Sequence, residues 1–168
     1  MNAFHAVVAF LVLQRLGELW LARRNTARLL AAGAVEHGRG HYSLFVVLHT
    51  AWLVALVAAA PADATVNPWL LAAFVLLQAG RVWVIASLGP YWTTRIIDLP
   101  GAALVRRGPY RFVRHPNYLI VIGEIAVVPL MAGLVEVAVV FSILNLLLLT
   151  WRIRMENRVL SSRKATVD

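Results

Sequence analysis

The chain has 168 residues, of which 61% are hydrophobic and 14% charged, and its mean hydropathy is +0.74. This balance is outside that of soluble domains and predicts an integral membrane protein; because each span takes roughly 20 residues, the length excludes a separate soluble catalytic domain. The net charge of +8 does not require nucleic acid, since the arginines cluster at the ends of apolar segments, as they do in membrane proteins.

The first half of the sequence predicts two spans separated by a polar loop. The first span covers about residues 2–22 and the second about residues 42–60, with a cytoplasmic loop between them. Arg15 and Glu18 lie three apart on one face of the first span, which indicates either a structural ion pair or the edge of a polar site. His49 in the second span is interpreted as a hydrogen-bonded interior histidine. The chain has no cysteine and no third ligand near its histidines, so no metal site is predicted.

The second half predicts a third span, a long loop and a helical hairpin. The third span covers about residues 68–87, and Arg81 within it is expected to snorkel towards the interface. Residues 88–117 form the longest polar segment and contain Gly-Pro and Pro-Gly pairs, so they predict a series of turns in a functional loop. The following apolar stretch is broken near Pro129 and Gly133, which predicts a transmembrane hairpin with spans of about 118–133 and 135–151.

The distribution of lysine and arginine predicts the topology. Basic residues fall in the two polar loops and in a basic tail after residue 151, and they are absent from the connection at residues 61–67. The positive-inside rule then gives five transmembrane helices, an external amino terminus and a cytoplasmic carboxyl terminus. The whole chain, residues 1–168, is predicted to be one all-α membrane domain with a cytoplasmic binding loop, in a bacterial inner membrane.

The polar string from Gly108 to Tyr118 is the best candidate for chemistry. Gly108-Pro109 is a turn signal, and Pro116 keeps His115 out of helical geometry, so His115 is expected to close the loop before the next helix begins. An interfacial anchor would explain the arginines and tyrosines but would not need this histidine. The hairpin returns the chain to the face it left, so the loop should meet Arg152 and Glu156 in one membrane-level pocket. Such a pocket suits group transfer to a hydrophobic acceptor.

Two ordered motifs carry a family resemblance. Gly108-Pro109-Tyr110 with Arg114-His115-Pro116-Asn117-Tyr118, followed by a hairpin and Arg152-Ile153-Arg154-Met155-Glu156, resembles the core of the isoprenylcysteine carboxyl methyltransferase family. That family is integral to membranes and uses S-adenosylmethionine. The front half, including Gln14-Arg15-Leu16 and His49-Thr50, resembles a bacterial subgroup associated with type III polyketide synthases. Members of that subgroup O-methylate alkylpyrones or alkylresorcinols.

The resemblance implies the site residues. It implies a catalytic, substrate-binding role for Arg152, whose cation would favour an acceptor oxyanion, and a catalytic and cofactor-binding role for Glu156. Two positions depart from the family pattern: Ala102 replaces a histidine, and Asn157 follows Glu156 where a second glutamate is common. His115 could serve as a base, although the family uses it to contact the cofactor. The implied cofactor contacts, in addition to Glu156, are Ala103, Leu104, Val105, Tyr110, His115, Pro116, Asn117 and Tyr118.

The expected activity is therefore S-adenosylmethionine-dependent O-methylation of a lipid-like acceptor, most specifically an alkylpyrone or alkylresorcinol hydroxyl. The resemblance implies a lipophilic small-molecule substrate, the lipid bilayer and a type III polyketide synthase as partners. Three alternatives stay open. They are carboxyl methylation of a prenylated cysteine or similar lipophilic carboxylate, reduction by an NADPH-dependent membrane reductase, and a non-enzymatic role as a helical adaptor or transporter subunit.

Overall fold

The computed structural model describes residues 2–165, and within that range the chain is almost entirely helical. The predicted domain of residues 1–168 also includes Met1 and residues 166–168, which lie outside the described residues. Two three-residue strands and two short 3-10 turns, Gly89–Tyr91 and Gly108–Arg111, occupy the polar segments. The helices and strands of the described range are α1 Ala3–Ala31, β1 Val35–His37, α2 Arg39–Ala59, α3 Pro68–Leu88, β2 Ile96–Asp98, α4 Pro116–Met131 and α5 Val135–Ala165.

The helices confirm the predicted all-α membrane architecture. Four of them, α1, α2, α3 and α5, are long and apolar enough to cross a membrane. Helix α4 has 16 residues, which rise about 24 Å against a hydrocarbon core of roughly 30 Å. The total of five spans therefore stays a prediction.

Two helices run further than the sequence indicated. The first span was predicted to end near residue 22, but α1 continues to Ala31, and the expected basic tail is helical because α5 continues to Ala165. Arginine, alanine and leucine favour helix, so the arginines after residue 22 do not stop it. Asn25 is buried in α1, where its side-chain amide donates hydrogen bonds to the carbonyl oxygens of Gly89, at 3.2 Å, and Trp92, at 2.9 Å. The predicted loop of residues 23–40 is therefore partly a helix that supports the long loop.

The hairpin of α4 and α5 forms where the apolar pattern breaks. Helix α4 ends at Met131, and Gly133 adopts a positive φ of 73° in the turn that follows. Helices α3, α4 and α5 pack in succession, and a Cβ at Gly123 would lie only 2.8 Å from a Leu77 methyl group, so the glycine permits close contact of α3 with α4. The main core between the helices contains Phe4, Leu11, Trp52, Leu56, Phe74, Ile125, Val128 and Met131.

A short β pair joins the two polar loops at the same end of the bundle. β1 and β2 are antiparallel, with Val35 opposite Asp98 and Glu36 opposite Ile97. Arg95 donates a hydrogen bond to the Glu36 carboxylate at 2.9 Å, and its guanidinium lies 4.9 Å from the centre of the Tyr42 ring. The sequence did not predict this pairing. The strand pair holds the first part of the long loop near the start of α2. Most of the rest of the loop consists of turns, as the sequence predicted.

Candidate functional site

A cavity of about 530 Å³ lies between the long loop and the middle of α5; we call it the loop cavity. Its volume is typical of small-molecule sites, which span roughly 300–1,000 Å³. Pro116, the remaining implied cofactor residue, is buried at the first position of α4 and does not line the cavity. The implied residues that line it are Ala102, Ala103, Leu104, Val105, Tyr110, His115, Asn117, Tyr118, Arg152 and Glu156.

Backbone geometry positions the polar string as the sequence indicated. His115 caps α4 with φ −128° and ψ 62°, and Pro116 begins the helix with its φ already fixed. At the other end of the string, Gly108 has φ +58°, and a Cβ there would lie 2.1 Å from the Ser87 hydroxyl oxygen. Arg107 donates a hydrogen bond to the Ser87 carbonyl oxygen at 2.8 Å. The turn before Tyr110 is therefore held directly against the end of α3.

Tyr118 links the two tail residues that the motif singled out. The Arg152 Nε donates to the Tyr118 hydroxyl at 2.8 Å, and that hydroxyl donates to the Glu156 Oε2 at 2.5 Å. A second nitrogen of Arg152 donates to the carbonyl oxygen of Thr94 at 2.8 Å. Arg152 and Glu156 are four residues apart on α5 and so share a face. The predicted meeting of loop and tail is present, and a phenol forms the bridge.

His115 also contacts the tail helix. Its ring stacks on that of Tyr118 with centroids 5.2 Å apart, and its Nδ1 lies 3.7 Å from Glu156 Oε2. The side-chain oxygen of Asn157 accepts hydrogen bonds from His115 Nε2 at 3.4 Å and from Arg114 at 3.3 Å. The sequence treated Asn157 only as a departure from the family pattern. The structure shows that Asn157 connects the loop to α5. Its position directly after Glu156 is the sequence feature that could have indicated this contact.

Tyr110 lies near the amino-terminal end of the polar string from Gly108 to Tyr118. Burial, and to a lesser extent the negative charge of Glu156, raise the pKa of the Tyr110 phenol above the ordinary value of about 10. At neutral pH the phenol is therefore protonated and can donate a hydrogen bond. Among the residues whose side chains the structure describes, no group of three or more histidine, aspartate or glutamate side chains is arranged to hold a metal ion.

A second cavity, of about 280 Å³, lies beneath the loop cavity between α1 and α2; we call it the helix cavity. Much of its wall is apolar and includes Val12, Leu16 and Leu53. The two cavities meet where the Tyr118 and Arg152 side chains lie. The residues that line both are Trp92, Thr93, Asn117, Tyr118 and Arg152.

Buried charges adjoin the helix cavity. Arg15 pairs with Glu18 at 2.6 Å and with Glu124 of α4, so the predicted pair is part of a larger cluster. Arg81 is 1% exposed and binds Glu124 through two nitrogens. The expectation that Arg81 snorkels is wrong, because a buried carboxylate neutralises it inside the bundle. We call Arg15, Glu18, Arg81 and Glu124 the ion network; Gln78 and Asn117 add hydrogen bonds to it.

Comparison with known proteins relates this site to a family. The profile of the isoprenylcysteine carboxyl methyltransferase (ICMT) family matches residues 69–162, which include the loop, the hairpin and the tail. The uncharacterized protein YpbQ of Bacillus subtilis is 38% identical over 161 residues, covering 94% of this chain and 96% of its own length. An uncharacterized protein of Haemophilus influenzae is 29% identical over 152 residues, covering 88% of each. No solved structure matches the chain.

Proposed function

Because the chain belongs to the isoprenylcysteine carboxyl methyltransferase family, we propose that this integral membrane protein transfers a methyl group from S-adenosylmethionine to an oxygen of a lipid-like acceptor. The observation that carries the proposal is the junction of the two cavities at Arg152 and Tyr118, with Glu156 hydrogen-bonded to Tyr118 on the side of the loop cavity. The loop cavity has a mixed polar and apolar lining, and the helix cavity is largely apolar. This pair suits a soluble reagent and a hydrophobic acceptor that react where the cavities meet.

The loop cavity fits S-adenosylmethionine in volume and chemistry. Glu156 offers a carboxylate for ribose hydroxyls or for a cationic group, and Tyr110 and His115 offer rings beside it. The bound cofactor would supply an electrophilic methyl group on a sulfonium. The backbone of residues 102–105 lines the same cavity, and Pro116 acts through the position it gives to its neighbours. The residues that would hold the cofactor are Ala103, Leu104, Val105, Tyr110, His115, Asn117, Tyr118 and Glu156.

The protein's own contribution is alignment and charge stabilisation. Methyl transfer needs the acceptor oxygen in line with the methyl group and water kept out. Arg152 lies at the junction and is held by the Tyr118 hydroxyl and the Thr94 carbonyl, so its positive charge is fixed there before the acceptor binds. A fixed cation favours the anionic form of an acceptor oxygen, an effect worth about 10²–10³ in rate at comparable sites.

The proposed acceptor is the hydroxyl of an alkylpyrone or alkylresorcinol. The front-half residues that resemble the polyketide-associated subgroup support this choice, and both relatives are bacterial proteins. A type III polyketide synthase as functional partner and a bacterial inner membrane with the carboxyl terminus inside belong to the same proposal. The family name favours a second candidate, methylation of a lipophilic carboxylate, and Arg152 would suit that acceptor as well.

The test is binding followed by transfer with detergent-purified protein. Calorimetry should show binding of S-adenosylmethionine and S-adenosylhomocysteine and none of NADPH; binding of NADPH alone would favour a reductase. Transfer of labelled methyl to alkylresorcinol, alkylpyrone and prenylcysteine then identifies the acceptor. Glu156→Gln should weaken binding of the adenosyl ligands, whereas Glu136→Gln, an exposed change at the far end of α5, should not. Loss of binding in both variants would argue against the assigned site.

A further inference from the structure

Two large apolar side chains lie exposed inside the polar string. Phe112 is 70% exposed and Val113 is 41% exposed. Their backbone N–H groups both donate to the carbonyl oxygen of Pro109 at 3.1 Å, so the turn before them holds the two residues in place. We call residues 111–114 the loop tip. Neighbouring apolar side chains that a fixed turn exposes indicate a contact with another molecule or with lipid.

Two exposed tryptophans indicate where the bilayer surface lies. Three hydrogen bonds between residues 63 or 64 positions apart join α1 to α3 and to the turn after it, so the two helices run in the same direction. One of these bonds joins Glu18 to Arg81, and Trp20 and Trp83 each follow two residues later. The two tryptophans therefore lie at about the same depth. Both are exposed near the ends of their spans, which is typical of the headgroup level.

The loop tip lies close to that level. A Cβ at Gly108 would lie 3.1 Å from the indole Nε1 of Trp83, so the turn that begins the polar string contacts this tryptophan. Phe112 follows Gly108 by four residues, and Pro116 begins α4 after four more. The tip is thus held between an interfacial tryptophan and the start of a membrane helix, where its apolar side chains can enter the headgroup region.

The arginines beside Phe112 suit an anionic surface. Arg106 and Arg111 are exposed, and their side chains make no hydrogen bond or ion pair with the residues that the structure describes. The Arg111 guanidinium lies 5.0 Å from the centre of the Phe112 ring, so a cation and an apolar ring form one unit. Anionic lipid surfaces attract arginines, and a guanidinium can bind a phosphate through two nitrogens. Water would solvate the arginines but would not favour the exposed ring.

The tip is also part of the wall of the loop cavity. All four of its residues line that cavity, and so does Arg106. Tyr110 comes directly before Arg111 in the same 3-10 turn. At the other end of the tip, Arg114 donates to the side-chain oxygen of Asn157 at 3.3 Å. A contact that holds the tip therefore also holds one wall of the loop cavity.

We propose that the loop tip, together with Arg106, binds anionic phospholipid headgroups of the bilayer, with Phe112 inserted at its surface. The bound headgroups hold the wall of the loop cavity in place and so strengthen cofactor binding. Lipid binding by the tip does not depend on the proposed function, whereas its effect on the cofactor rests on it.

The first experiment measures the depth of the tip in the bilayer. The chain has no cysteine, so Phe112→Cys and Ala32→Cys each give one site for a spin label. Ala32 is exposed just past the end of α1, about 18 Å beyond Trp20 by helix rise, and should be in water. In nanodiscs that contain phosphatidylglycerol, oxygen should reach the label at position 112 better than a water-soluble nickel complex does, and the label at position 32 should show the reverse. Better access of nickel to both labels would overturn the proposal.

The second experiment asks whether lipid charge acts through the tip. Calorimetry measures binding of S-adenosylhomocysteine in nanodiscs of phosphatidylcholine, with and without phosphatidylglycerol. This ligand has no net charge at neutral pH, so an anionic bilayer does not concentrate it. The wild type should bind it about three- to tenfold more tightly in the anionic nanodiscs, as two arginines attracted to the surface allow. The double variant Arg106→Gln/Arg111→Gln should bind it equally in both.

A matched control removes the same charge elsewhere. Arg23→Gln/Arg24→Gln changes two exposed arginines of α1 that do not line the loop cavity, and it should keep the wild-type dependence on lipid. If the two double variants depend on lipid to the same extent, the charge acts elsewhere on the chain and the proposed surface is overturned.

The two proposals fail in different ways. If the wild type does not bind S-adenosylhomocysteine in either bilayer, the proposed function fails. The label at position 112 then still tests the surface, since it should lie less deep when Arg106 and Arg111 are replaced, and an unchanged depth would overturn binding of anionic headgroups. If the wild type binds the ligand equally in both bilayers, the methyltransferase assignment stands and the effect of lipid on the cofactor is wrong.

Discussion

The ion network contrasts with Tyr118, Arg152 and Glu156 in the loop cavity, which we call the Tyr118 cluster: both groups contain arginine and glutamate, but the charges are paired differently. In the network, Arg81 and Glu124 are each 1% exposed, and Glu124 is bound by two arginines and Gln78. In the cluster, Glu156 retains 28% side-chain exposure, and a phenol separates its carboxylate from Arg152. The first arrangement leaves Glu124 little capacity for a ligand. The second keeps a cation and a carboxylate apart and accessible.

Burial explains the difference. A charge buried within the bundle is not solvated by water, so it is stable there only when it is fully paired. At the loop cavity water can reach the side chains, so incomplete pairing costs less and the groups remain available. An arginine–glutamate pattern in a membrane helix therefore does not by itself mark an active site. Glu18 is the member of the network that departs from full pairing, since its Oε1 is buried and has no hydrogen-bond partner among the described side chains.

The largest expected effect comes from breaking the network at its centre. Glu124→Ala leaves Arg15 and Arg81 to share the one carboxylate of Glu18, so their two buried charges are incompletely paired, and it should lower the free energy of unfolding by about 3–5 kcal/mol. Thermal unfolding in detergent measures it. Glu136→Ala, which removes an exposed acidic residue from the first turn of α5, is the control and should change little. A stability near the wild-type value for Glu124→Ala would contradict the structural role.

Breaking the cluster should affect the reaction more than the stability. Arg152→Ala removes the cation at the junction and is expected to lower kcat about 10²–10³-fold. Labelled-methyl transfer measures the rate, and thermal unfolding should show a smaller change than for Glu124→Ala. Arg154→Ala removes an exposed arginine two residues away and should retain activity. Equal rates for the two variants would remove Arg152 from the site.

A substitution in the turn that holds the polar string against α3 should have a smaller effect, on cofactor binding. Gly108→Ala places a Cβ 2.1 Å from the Ser87 hydroxyl oxygen, so the turn must shift and S-adenosylhomocysteine binding should weaken by about 1–3 kcal/mol. Gly101→Ala is matched, since Gly101 also has a positive φ, of 76°, but its Cβ would meet nothing within 4 Å. Equal affinities in the two variants would show that backbone strain, not the overlap with Ser87, matters.

The smallest effect concerns Tyr110 and pH. Because the pKa of its phenol is raised above about 10, the stabilisation from the neutral phenol is complete below that pH and is lost as the pH rises further. The wild type should therefore lose more thermal stability than Tyr110→Phe above about pH 10, and the two should change in parallel between about pH 7 and 9. Tyr91→Phe, at a half-exposed tyrosine of the same cavity, is the control. A divergence of wild type and Tyr110→Phe near neutral pH would contradict the raised pKa.

Local patterns in the sequence predicted much of the site. Gly108 and Pro116 determine backbone geometry within a few residues, and the spacing of Arg152 and Glu156 places them on one helix face. The break near Gly133 predicted the hairpin that returns α5 to the loop. These features depend on turn chemistry, helix periodicity and hydrophobicity, which act over short stretches and can be seen without the fold.

The sequence by itself thus determined a helical membrane bundle with a polar loop and with an arginine and a glutamate on one face of its tail helix. Only the tertiary structure decided which distant groups meet: Arg81 with Glu124, Asn157 with His115, β1 with β2, and the pairing state of Glu18. Whether a charge is paired or left to face a cavity depends on helix packing and on the water that packing excludes. The cost of desolvating a charge and the energy gained from its partners both depend on contacts between helices, which the sequence of a single helix does not show.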